Sequence, residues 1–202
     1  MKHIFTIHSP ITFFSACVVI FQENLAHEDV IIINDGYKVP FKIGKIVESY
    51  QQQEKGIWKK IKNFNLVKAY DQYINELTNG QQFIAYIDLM HAYQRLLITN
   101  PNCVKFNFIE EGTASYVVPD NLFFITYGAK HVTFRNKNLS QLIKSIFRII
   151  RGVNIRVLSL PFSPQAYADI NEVKFYTFSE HGYTEKKKKK KILLNPHEID
   201  NT

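Results

Sequence analysis

Short apolar runs alternating with helix-length stretches constrain the fold of this chain more than any other feature. Residues 3–7, HIFTI, read as a buried strand. Ser9 then suits a helix N-cap, and Pro10 suits the first helical position, where a missing N–H costs nothing. Residues 11–22 follow as an apolar helix and residues 30–33 as a second strand. Lys2 ahead of the apolar stretch 11–21 also outlines a signal peptide, but His8, Ser9 and Pro10 interrupt it and no small-x-small cleavage site follows. The stretch is shorter than the roughly 20 residues a spanning helix needs.

The alternation continues along the chain. Asp35-Gly36 marks a turn after the second strand. Residues 45–77 are helical in composition, with a break at Gly56 and an end at Asn79-Gly80. Residues 83–87 give a third strand, Asp88 caps a helix over 90–98, and Asn100-Pro101 stops it. Residues 104–109 give a fourth strand. Residues 139–151 read as a basic amphipathic helix closed by Gly152, and 155–158 and 173–178 as further short strands. Strands that alternate with helices predict an α/β, Rossmann-like fold: a mostly parallel sheet with helices on both faces.

Composition bears on partners. At 46% hydrophobic and 14% aromatic, 202 residues suffice for the core of one domain. The net charge of +7 points to an acidic partner only until it is located: six of the lysines form one run, Lys186–Lys191. Adjacent like charges repel and hydrate, so 181–202 is expected to be a basic, disordered tail behind a domain at 1–180. The body is nearly neutral and carries no nucleic-acid motif, so no nucleic-acid partner is expected. The helix at 139–151 is expected to pack on the sheet, with peripheral seating on a membrane surface as its alternative. Cys17 and Cys103 alone make neither a disulfide scaffold nor a zinc site and fit a reducing compartment, the cytoplasm. Cys17 is expected on the buried face of its helix, and His27, His91 and His131 lack neighbours at metal-ligand spacing.

In open parallel sheets, ligands gather beyond the carboxyl ends of the strands. One such end is His8-Ser9-Pro10, at a helix N-terminus that favours anions. Neither G-x-G-x-x-G nor a phosphate loop is present there, which argues against a nucleotide hydrolase. His8 reads either as a locally packed loop residue or as a proton- or phosphate-handling group. The second end is residues 108–116, FIEEGTASY, which run from a buried strand into a polar turn. Burying two ionised carboxylates is costly, and one with a raised pKa would serve as a general base. Adjacent residues point in opposite directions, so one of Glu110 and Glu111 is expected to face a ligand while the other braces the loop. The alternative is a solvated pair beside the turn glycine Gly112. Asp35 and Asp88 end the second and third strands and so could line the same cleft, although turn formation suffices to explain Asp35 and helix capping suffices for Asp88.

FIEEGTASY resembles the acidic-acidic-glycine motif of bacterial sialyltransferases, closest to glycosyltransferase family 52 and the related alpha-2,8-polysialyltransferases. The opening HIFTIHSPITFFSACVVI and the segment YIDLMHAYQRLLITNPNCVKFNFIEEG are similar to the corresponding parts of those proteins, and the likeness spans about residues 1–180. The resemblance implies the acceptor-side half of a GT-B enzyme, in which two Rossmann-like domains face a cleft. It implies inverting transfer from CMP-sialic acid to a glycan hydroxyl, without a metal or other cofactor, in lipooligosaccharide or capsule synthesis at the cytoplasmic side of the inner membrane. Glu111 would be the base and Glu110 its support, with His8, Ser9, Gly112, Thr113 and Ser115 binding substrate.

The family's donor domain carries a His-Pro motif, and this chain has only the reverse, Pro196-His197. After Glu185 the sequence departs from the family, so the donor domain is expected to be absent and the chain to have little transferase activity alone. The alternative function is a non-catalytic glycan-binding or membrane-surface component of a polysaccharide pathway.

Overall fold

In the computed structural model, β1 (Lys2–Ile7), β2 (Val30–Asn34), β3 (Lys45–Glu48), β4 (Phe83–Ile87), β5 (Cys103–Ile109), β8 (Phe175–Thr177) and β9 (Lys191–Leu193) form one sheet. A separate antiparallel ribbon joins β6 (Thr126–Tyr127) to β7 (Val132–Thr133). The structure describes residues 1–50, 63–88, 92–112, 126–127, 132–133, 173–181 and 191–196. The seven sheet strands are all parallel and run in the order β3-β2-β1-β4-β5-β8-β9. Helices α1 (Pro10–Gln22), α2 (Asn63–Thr78) and α3 (Ala92–Ile98) cover the sheet. This is the Rossmann-like α/β fold predicted from the alternation.

Strand periodicity explains why both faces are covered, since successive side chains point to opposite sides. Ile4, Ile31, Ile33, Phe83, Ala85, Ile87 and Phe108 face one way, and Val67, Tyr70 and Ile74 of α2 pack there with Leu96 and Leu97 of α3. Phe5, Ile7, Val30, Ile32, Tyr86, Ile109 and Tyr176 face the other way and meet Phe13, Ala16, Cys17 and Ile20 of α1. Burial pushes the Cys17 thiol up to about 12, so it packs as a small hydrophobe and stays protonated. Among the described residues no helix is long and apolar enough to cross a membrane.

Two segments depart from expectation. Residues 45–48, expected to start a helix, instead form β3, hydrogen-bonded in parallel to β2. Their β-branched Ile46 and Val47 suit a sheet edge, and the Lys- and Gln-rich composition that suggested a helix belongs to the segment after them. Gly44 makes this entry possible: it has φ +69°, and an added Cβ would lie 2.7 Å from the Val30 carbonyl oxygen. The expected disordered tail is also corrected in part. Lys191–Leu193 is the edge strand β9 beside β8, and Leu194 behind it is buried. The apolar ILL after the last lysine can pair with and cover the sheet, and the lysine run hid it. The expected helix at 139–151, the strand at 155–158 and Lys186 to Lys190 lie outside the described residues.

β8 is tied to the rest at both ends. Lys174 N donates to Asn107 Oδ1 at 3.1 Å, and the Lys174 ammonium sits 2.9 Å from Glu23 Oε1 at the end of α1. The Tyr176 hydroxyl donates to the same oxygen at 2.7 Å.

Gly44→Ala therefore meets both a left-handed backbone and a backbone oxygen that has no room to yield. It is expected to cost about 2–4 kcal/mol, read as a lower urea midpoint at unchanged slope. A variant as stable as wild type would contradict the close approach of β2 to the turn before β3.

Candidate functional site

The chain leaves β1 towards α1 on one face and leaves β4 towards α3 on the other. β1 and β4 are neighbours, so their carboxyl ends flank the crevice at which the sheet reverses its winding. The residues immediately after these strands are His8 and Asp88.

Local chemistry fixes His8. Ser9 is extended at the N-cap, and its hydroxyl accepts from Thr12 N at 3.2 Å. Thr12 Oγ1 accepts in turn from Ser9 N at 3.0 Å and from His8 N at 3.1 Å. Three orphan amides at the start of α1 are thus satisfied within the turn. The Ser9 hydroxyl, expected to bind substrate, is the cap of this helix. The tight turn sends the His8 ring sideways across the crevice.

There His8 Nδ1 lies 2.9 Å from Asp88 Oδ2. The Asp88 carboxylate is wholly buried, and its Oδ1 accepts from Gln94 Nε2 of α3. Gln94 also donates to Thr6 Oγ1 in β1, at 3.0 Å. Asp88 is therefore more than the helix cap expected of it: it joins the ends of β1 and β4 through a histidine. The hydrogen bond to Asp88 raises the His8 pKa above its ordinary value, and the charges of Asp88, Glu111 and Asp35 add to this against the opposing cost of burial. Asp35 otherwise accepts from the Ser49 hydroxyl just beyond β3 at 2.8 Å, while Asn34 and Tyr37 close the turn after β2.

The two glutamates after β5 diverge. Glu110 is buried, and its Oε2 accepts from Thr177 Oγ1 at 2.8 Å and from Phe178 N at 2.7 Å. Its backbone oxygen accepts from the Ser15 hydroxyl of α1 at 2.9 Å. Glu111 turns the opposite way, and its Oε1 stands 3.9 Å from His8 Nε2 in the crevice. Gly112 follows with φ +110°, and a Cβ there would meet the end of Ile11 at 3.1 Å. His8, Glu111 and Gly112 are thus brought together. Glu110 and Ser9 are engaged in holding the frame, and Thr113 and Ser115 lie outside the described residues.

Among the described residues, His8, Asp88 and Glu111 form a group whose ligand atoms lie within 4.8 Å of one another. His8 Nδ1 faces Asp88 Oδ2, Asp88 Oδ1 is engaged by Gln94, and Glu111 faces His8 Nε2.

Family models, curated proteins and solved structures offer no significant match to this chain.

The opposed roles of the glutamates carry opposed costs. Glu110→Ala leaves the Phe178 N–H without its acceptor and takes from the Thr177 hydroxyl one of its two, the other being the Ser179 carbonyl, and is expected to destabilise by about 2 kcal/mol. Glu111→Ala is expected to cost less than about 1 kcal/mol. Equal losses in chemical denaturation would contradict the assignment. His8 gives a second expectation. A raised folded-state pKa means that the native chain binds this proton more tightly than the unfolded chain does. The resulting stabilisation is complete below the ordinary histidine range and is lost as pH rises through the folded-state value. The stability gap between wild type and His8→Gln should therefore be larger at pH 6 than at pH 9, and equal gaps would refute the pairing with Asp88.

Proposed function

We propose that this chain carries the acceptor side of a sialyltransferase-like enzyme of bacterial surface-glycan synthesis, with Glu111 as the general base. The observation that carries this reading is the divergence of Glu110 and Glu111 beyond β5, which leaves Glu111 in the crevice facing His8. The position of EEG directly after a parallel strand is that of the acidic motif in the sialyltransferases it resembles, and the Rossmann-like fold agrees with one half of a GT-B enzyme. The acceptor glycan binds across the carboxyl ends of β1, β4 and β5.

The chemistry asked of Glu111 is one proton transfer. The acceptor hydroxyl oxygen attacks the anomeric carbon of CMP-sialic acid as the bond to the CMP phosphate oxygen breaks. CMP leaves with that electron pair, the configuration inverts, and the hydroxyl proton passes to a Glu111 carboxylate oxygen. A positioned base of this kind contributes about 10²–10⁴-fold. Gly112 takes a φ of +110° beside Ile11 of α1, where an added Cβ would come within 3.1 Å of the side-chain end. The work is done at the cytoplasmic face of the inner membrane, where activated sugars are at hand.

Saturation-transfer NMR with galactose-ended and sialic-acid-ended oligosaccharides tests the acceptor site. Binding of at least one is expected and should persist in Glu111→Gln, while the low transfer of radiolabelled sialic acid from CMP-sialic acid expected of this chain alone falls to background in that variant. Binding of neither oligosaccharide overturns the reading. Binding with transfer unchanged by the substitution moves the base elsewhere.

A further inference from the structure

The sialyltransferase resemblance gives Asp88 no part, yet Asp88 is the most deeply buried carboxylate of the crevice. Its oxygens are held from two elements: Gln94 of α3 donates to one, and His8 Nδ1 lies 2.9 Å from the other. Gln94 is itself fixed to Thr6 of β1, so the acceptor position of Asp88 is set by the sheet and does not depend on a loop. On the far side of the same imidazole stands Glu111, 3.9 Å from Nε2.

We propose that Asp88 is a positioning residue that fixes His8 between two carboxylates, so that His8 in turn holds Glu111 ionised and aimed into the crevice. This rests on the reading of Glu111 as the acceptor base and adds to it the device that makes a half-buried glutamate a base at neutral pH. The 2.9 Å contact of Nδ1 with Asp88 Oδ2 holds one edge of the ring against the buried carboxylate and leaves the Nε2 edge facing Glu111. A charged imidazole there lowers the cost of an ionised Glu111, much as a buried aspartate stabilises the imidazolium of a catalytic histidine.

The groups acting on His8 favour this occupancy over others. Three carboxylates surround it: Asp35 after β2, Asp88 after β4 and Glu111 after β5. A phosphate drawn to the start of α1 would meet all three, and the amides that would receive it are already engaged by Ser9 and Thr12. A divalent cation is the competing occupant, because one ligand atom from each of His8, Asp88 and Glu111 lies within 4.8 Å of the others. A proton on His8 would set one positive charge between Asp88 and Glu111.

Long-range proton–nitrogen NMR of the histidine-labelled full chain tests the device, with the His8 signals assigned by their loss in His8→Gln. In wild type the His8 midpoint is expected above that of an unstructured histidine. In Asp88→Asn it should fall by one pH unit or more, a tenfold loss in proton affinity. A midpoint unmoved by Asp88→Asn overturns the proposal. Should that variant not fold, the wild-type spectrum decides: a neutral His8 ring at pH 6 overturns the proposal, and a charged one with Nδ1–H in a hydrogen bond supports it. Stoichiometric manganese that erases the His8 signals would put a cation where the proposal puts a proton, and would also overturn it. The two readings fail separately. An intact His8 shift without oligosaccharide binding removes the sugar acceptor and leaves the triad. Oligosaccharide binding with an unshifted His8 does the reverse.

Discussion

A sheet whose strands all run in parallel must send every strand's chain out at the same edge, and the rest of this structure follows from that. The strand interiors are mostly apolar on both faces, filled by Ile4, Phe5, Ile31, Ile32 and Phe108, with Thr6 and Asn107 admitted as hydrogen-bond partners of Gln94 and Lys174. The charged groups are left to the exits. His8, Asp35, Asp88 and Glu111 are the first or second residues after β1, β2, β4 and β5, and they converge because those strands are consecutive neighbours in the sheet. The side at which each helix departs then decides which exits stay open. α1 and α3 leave to opposite faces, and the opening between β1 and β4 is the consequence.

The parts of this arrangement that depend on near neighbours in sequence were legible. Ser9 and Pro10 specify the start of α1, and Phe83–Ile87 is an apolar run bounded by turn residues. The opposite aims of Glu110 and Glu111 follow from strand geometry alone. What stayed hidden depends on strand order. Asp88 reads as a helix cap until β4 is known to lie against β1, because only that contact brings it to His8, eighty residues away in sequence. β3 and β9 were missed for a different reason. Both are short edge strands with lysine at their start, so composition pulled the reading towards helix and tail.

β8 shows how frame and crevice are coupled. Its pairing with β5 covers only Phe108 with Phe175 and Ile109 with Tyr176. So short a ladder gains support from side chains: Asn107 receives the Lys174 N–H, and Glu110 receives the Thr177 hydroxyl and the Phe178 N–H. A charged acceptor taking two hydrogen bonds in a buried place is worth more than a neutral one, and it is costly to remove. Glu110 therefore closes the strand end just where the chain must turn.

That closure has a consequence one residue on. With the carboxylate of Glu110 pinned to β8 and its carbonyl to Ser15, the backbone at Glu111 has little freedom to rotate, and the alternation of a strand end directs its side chain back across β4. Gly112 then turns away in a backbone region that side chains rarely adopt, against Ile11 of α1. The buried glutamate sets the direction of the glutamate in the crevice, and Asp88 sets the direction of the histidine that meets it. Two buried carboxylates, each held by the sheet, thus aim the two groups between which chemistry is proposed. This is the preorganisation that a proton-transferring site requires, because a base placed on a rigid strand end does not need to be ordered at the moment of reaction.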